Sequence, residues 1–355
     1  MDSSLFPIFF DDHNPLISLT DSQKKCKEDI IQALSEKSLV LIENKCICGN
    51  TSCSDIVVSE KDRFGIPIPQ LLCLNCGLIR SQFIFDNNSN NIFYTNYYRK
   101  LYNTSNIEDY FQYQTRRGSR FLTLLKSLNL IAVIESIAEI GCGSGGILYP
   151  FLGKAKEIKG YDFENFFLEF GKTRGLNLSN EDFFSVNKDN SLDLIIMSHL
   201  VEHLVEPLAF LKRVISKIKP GKYLLIEVPG LYSNPFPGFN PILFFQNAHV
   251  IQFYTKAHLT VLLKAMGLTI IYGDETCTFV CQKESTNKED VGQFFQHNWG
   301  NIPEKIHAFL KKCKKEYYQS QKVGIRQKIY RLACMFKYEQ IKTYICKIFK
   351  RGGND

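Results

Sequence analysis

A chain of 355 residues with 45% apolar content has room for one sizeable core plus smaller modules, which excludes wholesale disorder. The formal charge of +7 is uneven: residues 301 to 355 hold 14 Lys/Arg against 4 Asp/Glu, a net +10 that leaves −3 for the remainder, so basicity belongs to the tail and not to the body. No basic segment precedes a long apolar stretch near Met1, and no run of about 18 apolar residues occurs, so the expectation is a soluble, cytoplasmic protein.

Twelve cysteines without a secretory leader point to thiols or metal ligands rather than disulfides. Residues 1–41 offer an N-terminal arm with one amphipathic helix, Asp21 to Lys37, whose apolar face would be Ile30, Ile31 and Leu34. Two short pairs follow, Cys46-Ile-Cys48-Gly49 and Cys73-Leu-Asn-Cys76-Gly77, with 24 residues between them. Each pair is followed by a glycine that lets the backbone turn back, as a pair of zinc knuckles requires, and four thiolates would leave no open position on the ion. Structural zinc on Cys46, Cys48, Cys73 and Cys76 is therefore expected within a ribbon module at 42–82; Cys53 is the competing ligand, because the first pair has one intervening residue instead of the usual two.

Between the pairs, Asp62-Arg63-Phe-Gly65-Ile-Pro-Ile-Pro69 predicts a β-turn and an extended arm near substrate, and Asp86 to Asn91 reads as a loop. A helical connector at 83–128 carries an aromatic cluster, Phe93, Tyr94, Tyr97, Tyr98 and Tyr102, and then a helix from Ile107 to Leu128 that would cover a cofactor. From Ser136 to about Gln282, apolar strands alternate with helices, which argues a parallel sheet covered on both faces. Strands are predicted at Ser136–Ile140, Glu157–Tyr161, Leu192–Met197, Tyr223–Val228 and Leu268–Tyr272.

The most informative stretch is Ile137 to Gly146, a strand running into Gly141-Cys142-Gly143-Ser144-Gly145. Glycines there let a backbone turn sharply and a ligand approach, and a following helix would aim its free N–H groups at that ligand. Asp162, about 20 positions on at the end of the second strand, is placed to hold ribose hydroxyls. Gly141, Asp162 and Ser198-His199 should all emerge beyond the carboxyl ends of the strands. After the fourth strand, Pro229 to Pro241 is too long and proline-rich for a plain connection and reads as a semi-rigid lid, and Thr255 should cap a helix from Ala257 to Met266.

His199-Leu-Val-Glu202-His203 places two histidines at i and i+4, which share a face on a helix. An inverted zinc-protease motif is rejected, because the segment directly follows a strand and Asp162 would have no role. Three readings stay open: Glu202 and His203 brace the helix internally, His199 faces substrate as a base or orienter, or a divalent ion sits among these groups.

Together with Gln114-x-x-Arg117-Gly118 and His249, these motifs resemble the class I methyltransferases that use S-adenosylmethionine (SAM), and within them a subgroup with an N-terminal zinc ribbon found in surface-polysaccharide or natural-product gene clusters. The resemblance spans about residues 42–282 and implies a Rossmann-like α/β sheet with helices on both faces over 129–283. It also implies SAM bound by Glu139, Gly141, Cys142, Gly143, Gly145, Asp162 and Ser198, and methyl transfer to a small-molecule or glycan acceptor with His199 or His249 as base. Departures are the tight first cysteine pair, Pro150 near the start of the helix after the glycine loop, and the basic helical tail at 284–355. Two other readings are an RNA methyltransferase with a zinc module, and a non-catalytic SAM-binding protein. In the latter the tail's apolar positions Ile325, Ile329, Leu332 and Phe336 would lie against an anionic membrane or a partner.

Overall fold

The computed structural model describes residues 7–50, 55–102, 106–233, 240–284 and 297–320. Helix α1 (Asp21–Ser35) starts at Thr20, whose hydroxyl accepts from the Gln23 N–H while the Gln23 side chain accepts from the Thr20 N–H, a reciprocal cap. Its buried face is Gln23, Cys26, Ile30 and Ala33, rotated away from the expected Ile31 and Leu34. Five short strands follow: β1 (Leu41–Glu43), β2 (Ile56–Ser59), β3 (Gln70–Leu72), β4 (Ile79–Ser81) and β5 (Phe83–Phe85).

Residues expected to form a loop at Asp86–Asn91 instead form helix α2 (Asn87–Phe93). The Asp86 carboxylate accepts from the Ser89 N–H, so the same polar run that reads as a turn acts as a helix cap. A π-turn over Tyr94–Tyr98 leads into α3 (Arg99–Tyr102), and α4 (Ile107–Ser127) begins where Asn106 caps Glu108 and Asp109.

Strands β6 (Ser136–Ile140) and β7 (Glu157–Tyr161) have the bounds expected of them. Next in the chain come α5 (Asn165–Thr173), β8 (Leu178–Ser179), α6 (Phe183–Val186), β9 (Leu192–Ser198), α7 (Pro207–Lys217) and β10 (Ile218–Glu227). The remaining elements are β11 (Ile251–Phe253), α8 (Lys256–Ala265), β12 (Leu268–Gly273), β13 (Thr278–Lys283) and α9 (Ile302–Ser320). Thr255 caps α8 as expected, with its hydroxyl accepting from the His258 N–H.

The main sheet has seven strands in the order β12-β13-β10-β9-β6-β7-β8. It is mixed, not wholly parallel as the alternation implied: β13 runs antiparallel to both β10 and β12. A four-residue connection after β12 returns the chain directly alongside it, and a hairpin can only pair antiparallel. Alternate residues of the central strands feed two cores. Ala138, Ile140, Ile195 and Met197 pack with Leu211 of α7 and Leu262 of α8, whereas Ile137, Leu194 and Ile196 pack with Phe121 and Leu125 of α4 and Leu168 of α5.

A second sheet, β11-β4-β3-β2, joins the cysteine-bearing segment to the larger one, because β11 pairs antiparallel with β4. A buried Arg80–Asp55 ion pair at 2.5 Å braces its edge, and Arg80 also donates to Asn44 O. Helix α9 covers the other side, where Ile306 and Leu310 join Ile8, Val58, Leu72 and Ile79 in one cluster and Tyr318 donates to Ile8 O. The tail positions beyond Ser320, the centre of the expected lid at 234–239 and Cys53 lie outside the described residues.

Helix α4 lies against the glycine loop so closely that a Cβ on Gly118 would fall 2.2 Å from Ile147 O. Gly118→Ala is expected to push α4 off the loop and to destabilise the protein by about 1–3 kcal/mol, as overpacking does, measured by urea unfolding.

Candidate active site

The carboxyl ends of β6, β7, β9 and β10 bring the site together. After β6 the chain turns through Gly141, Gly143 and Gly145, all at positive φ (74°, 54° and 75°), a conformation that side chains rarely adopt. A Cβ on Gly143 would lie 2.7 Å from the Tyr110 hydroxyl, so glycine is needed there for space as well. The loop does not lead into the expected helix. It ends in a 3-10 turn at Tyr149–Phe151 with Pro150 in its first turn, since proline cannot supply the N–H that a longer helix would need.

Gln114 of α4 holds this loop in shape. Its amide nitrogen donates to Cys142 O at 3.1 Å, and its oxygen accepts from Ser144 Oγ at 2.7 Å and from the Gly146 N–H at 3.3 Å. From β7, the Asp162 carboxylate accepts the Gly143 N–H at 2.8 Å with one oxygen and the Glu164 N–H at 3.0 Å with the other. Glu139 is 1% exposed, and neither of its carboxylate oxygens has a hydrogen-bond partner. Burial, with the nearby Asp162 charge adding to it, pushes the Glu139 carboxyl well above the usual range. Cys142 is fully buried beneath the loop, with its thiol also raised by burial.

On the other side of the sheet centre, β9 ends at Ser198 and is followed by His199 at φ 54°, a left-handed residue at a strand tip. The expected helix carrying both histidines is only a 3-10 turn, Val201–His203, so His199 and His203 do not share a helical face. His199 instead lies between two carboxylates: its Nδ1 is 3.2 Å from Glu202 Oε1 and its Nε2 is 3.4 Å from Glu227 Oε1. Burial works against a charged ring, but the two carboxylates outweigh it and raise the His199 pKa above 6.5. The reciprocal effect holds Glu202 and Glu227 down to about 2 each, against a desolvation that opposes it. The His199 side chain is 37% exposed, so one side of the ring opens to the space beyond the strands.

Glu227 also pairs with Arg120 and, at 3.2 Å, with Arg117 Nε, while Arg117 Nη1 donates to Ser198 Oγ at 3.3 Å. One guanidinium of α4 thereby joins the ends of β9 and β10. His249 sits away from the exposed rim: it is 5% exposed, its ring lies 4.7 Å from that of His203, and burial lowers its pKa well below 6.5. Tyr94, Tyr98 and Tyr102 stack along one side of the π-turn at centroid spacings of 4.9 and 4.6 Å, and the Tyr94 hydroxyl is 2.9 Å from His203 Nδ1.

Tertiary packing thus gathers Glu139, Gly141, Cys142, Gly143, Gly145, Asp162, Ser198 and His199 at one rim, with His249 behind it. Glu227 and the clamp formed by Gln114 escaped sequence reasoning. The spacing Gln114-x-x-Arg117-Gly118 signalled the clamp alone, and nothing local signalled Glu227.

Cys46, Cys48, Cys73 and Cys76 converge elsewhere, with all four Sγ atoms buried and within 4.8 Å of one another. Cys46–Cys76 and Cys48–Cys73 are each 3.6 Å apart. Sulfurs of a tetrahedral zinc site stand about 3.8 Å apart, from a Zn–S distance of about 2.3 Å, so the donor set fits that ion.

The unpartnered Glu139 carboxyl, the Asp162 acceptors and the glycine cradle likewise fit the methionine end, ribose and backbone-contacting parts of SAM. Residues 97–272 match the family model described as a methyltransferase domain. No curated protein matches the chain. Among solved structures, a SAM-dependent methyltransferase from Archaeoglobus fulgidus is 23% identical, with 45% of this chain and 73% of that one covered at a TM-score of 0.37. A SAM-bound amino pentose methyltransferase of calicheamicin biosynthesis from Micromonospora echinaspora is 14% identical, covering 48% of this chain and 91% of the other, also at 0.37. A phosphoethanolamine N-methyltransferase from Haemonchus contortus is 16% identical over 56% of this chain and 49% of its own, at 0.35. The domain match spans the glycine loop and Asp162 and sits on a Rossmann-like α/β sheet, so the chain carries a class I SAM-dependent methyltransferase domain.

Proposed function

We propose that the enzyme methylates a hydroxyl of a small-molecule acceptor, a saccharide being the class the sequence resemblance favours, in surface-polysaccharide or secondary-metabolite biosynthesis. The observation that carries this reading is His199, an accessible imidazole at the strand rim, held between Glu202 and Glu227 and next to Ser198. SAM, when bound, supplies a methyl group already activated on a sulfonium, so the chain's tasks are alignment, exclusion of water and removal of the acceptor proton.

In this reading the Asp162 carboxylate holds the ribose hydroxyls, Glu139 faces the methionine end, and the backbone of Gly141, Cys142, Gly143 and Gly145 lines the remainder, with Ser198 at the margin. Glu202 fixes the proton on His199 Nδ1, leaving Nε2, the more weakly held nitrogen, to take the acceptor proton. Orientation of a histidine by a carboxylate on its far nitrogen is the logic of hydrolytic triads. Arg117 and Arg120 neutralise Glu227, so that it does not compete for that proton.

The Cys46–Cys76 cluster is proposed to hold structural zinc. All four donors are sulfur, and His258 Nε2 donates to Cys76 O at 2.8 Å, tying the second cysteine turn to α8. The zinc would lock the small sheet on which β11 depends.

Calorimetric titration should show SAM binding to the wild type, and Asp162→Ala should weaken it about 10- to 100-fold, the worth of hydrogen bonds to a charged group. Unchanged affinity would remove Asp162 from the cofactor site. His199→Ala should slow single-turnover transfer at least about tenfold.

The two facing carboxylates raise the His199 pKa above its ordinary value, so the rate should rise with pH through a limb displaced upward from that of a free imidazole. Glu227→Gln removes one carboxylate, the imidazolium loses support, and both the limb and the His199 NMR titration midpoint should move to lower pH. For stability the sign is the reverse: the contribution of the charged His199 is complete below pH 6.5 and lost as pH rises through the raised folded value. For the metal, stripping with a strong chelator, or Cys76→Ser, should lower the melting temperature and release about one zinc per chain.

A further inference from the structure

We propose that Glu202, His203 and His249 form a second metal site, of mixed nitrogen and oxygen donors, for a divalent cation such as zinc. One donor atom from each of the three residues lies within 4.8 Å of the others. None of the three is a ligand in the cysteine cluster.

Hydrogen bonding around His203 sets the argument. Its Nδ1 lies 3.0 Å from the carbonyl oxygen of Ala248, which can only accept, so Nδ1 carries the proton and Nε2 presents a lone pair. That Nε2 is 3.9 Å from Glu202 Oε1. A lone pair facing a carboxylate is repulsive unless a cation lies between them. The alternative, an imidazolium bonded to the carboxylate, would bring the atoms to about 2.7–2.9 Å, and they are well beyond that.

Two further observations are independent of that one. Glu202 is 0% exposed, its Oε1 lies between His199 at 3.2 Å and His203 at 3.9 Å, and its Oε2 has no hydrogen-bond partner. His249 is 5% exposed, and its Nδ1 has no partner either. Buried carboxylates and imidazoles without partners are costly, and an ion supplies a partner to all three at once. The Ala248 carbonyl behind His203 is the usual outer support of a metal-bound imidazole, with the Tyr94 hydroxyl at 2.9 Å on the same nitrogen.

Ligand atoms of a tetrahedral zinc stand roughly 3.4 Å apart, so the three donors, within 4.8 Å of one another, would draw together around the ion. Two histidines and one glutamate fill three positions and leave a fourth open. Resting on the methyltransferase reading, the occupant of that position would be an oxygen of the acceptor, since Glu202 also contacts His199 at the rim. The ion would then add acceptor specificity to the site.

The test is metal stoichiometry on the full chain without SAM, so its outcome does not depend on cofactor binding. After equilibrium dialysis against excess cobalt(II), the wild type should hold about two ions per chain, one with an intense thiolate charge-transfer band and one with weak d–d bands only. His249→Ala, His203→Ala and Glu202→Gln should each hold about one and keep the charge-transfer band, whereas Cys76→Ser should lose that band and keep the weaker one. A wild type with no ion besides the thiolate-bound one, or weak bands that persist unchanged in all three variants, would overturn the proposal. Far-UV circular dichroism checks that each variant is folded. Should an alanine variant unfold, His249→Asn, which keeps a polar group of similar length, takes its place and is expected to lose the same ion.

Discussion

One buried amide governs the geometry of the site. Gln114 reaches from α4 into the bend after β6, donating to Cys142 O and accepting from Ser144 Oγ and the Gly146 N–H. A loop whose glycines sit at positive φ has many alternative shapes, and glycine loses more entropy on ordering than any other residue. Three hydrogen bonds from one rigid helix select a single shape. The same helix carries Arg117, so the glycine loop and the rim around His199 are referenced to one element.

The electrostatics divide along that line. Beside the glycine loop Glu139 is buried without partners and its carboxyl is driven toward the neutral form, a state that a nearby cationic group would reverse. At the rim, burial is outweighed by pairing: His199, Glu202, Glu227, Arg117 and Arg120 form a chain of alternating charge, which favours ionised forms of both glutamates. Two carboxylate environments within one sheet end therefore have opposite protonation tendencies.

The cysteine-bearing sheet is part of this arrangement and not an appendage to it. β11 comes from the connection between β10 and α8, pairs with β4, and is followed at once by the Thr255 cap of α8. His249 lies two residues before β11, and its carbonyl accepts from Ser81 Oγ at 2.7 Å. The position of His249 beside His203 thus depends on the sheet next to the four thiols.

Much of the α/β core was legible in the residues because β9 and β10 carry short apolar runs, Leu194–Met197 and Tyr223–Ile226, and a buried parallel strand has few other ways to be written. The glycine loop, Asp162 at the end of β7 and Thr255 as a cap were readable for the same reason: each depends on neighbours within a few positions. Local pattern misled where two structures share a signal. The polar run Asp86–Asn91 caps and forms a helix, and His199 to His203 has helical spacing but only a 3-10 turn. Which face of α1 is buried, that β13 runs antiparallel, that Glu227 meets His199, and that His249 meets His203 across 46 positions were settled only by tertiary packing. Those contacts join segments far apart in the chain, and their energy resides in desolvation and charge pairing that no single stretch of sequence contains.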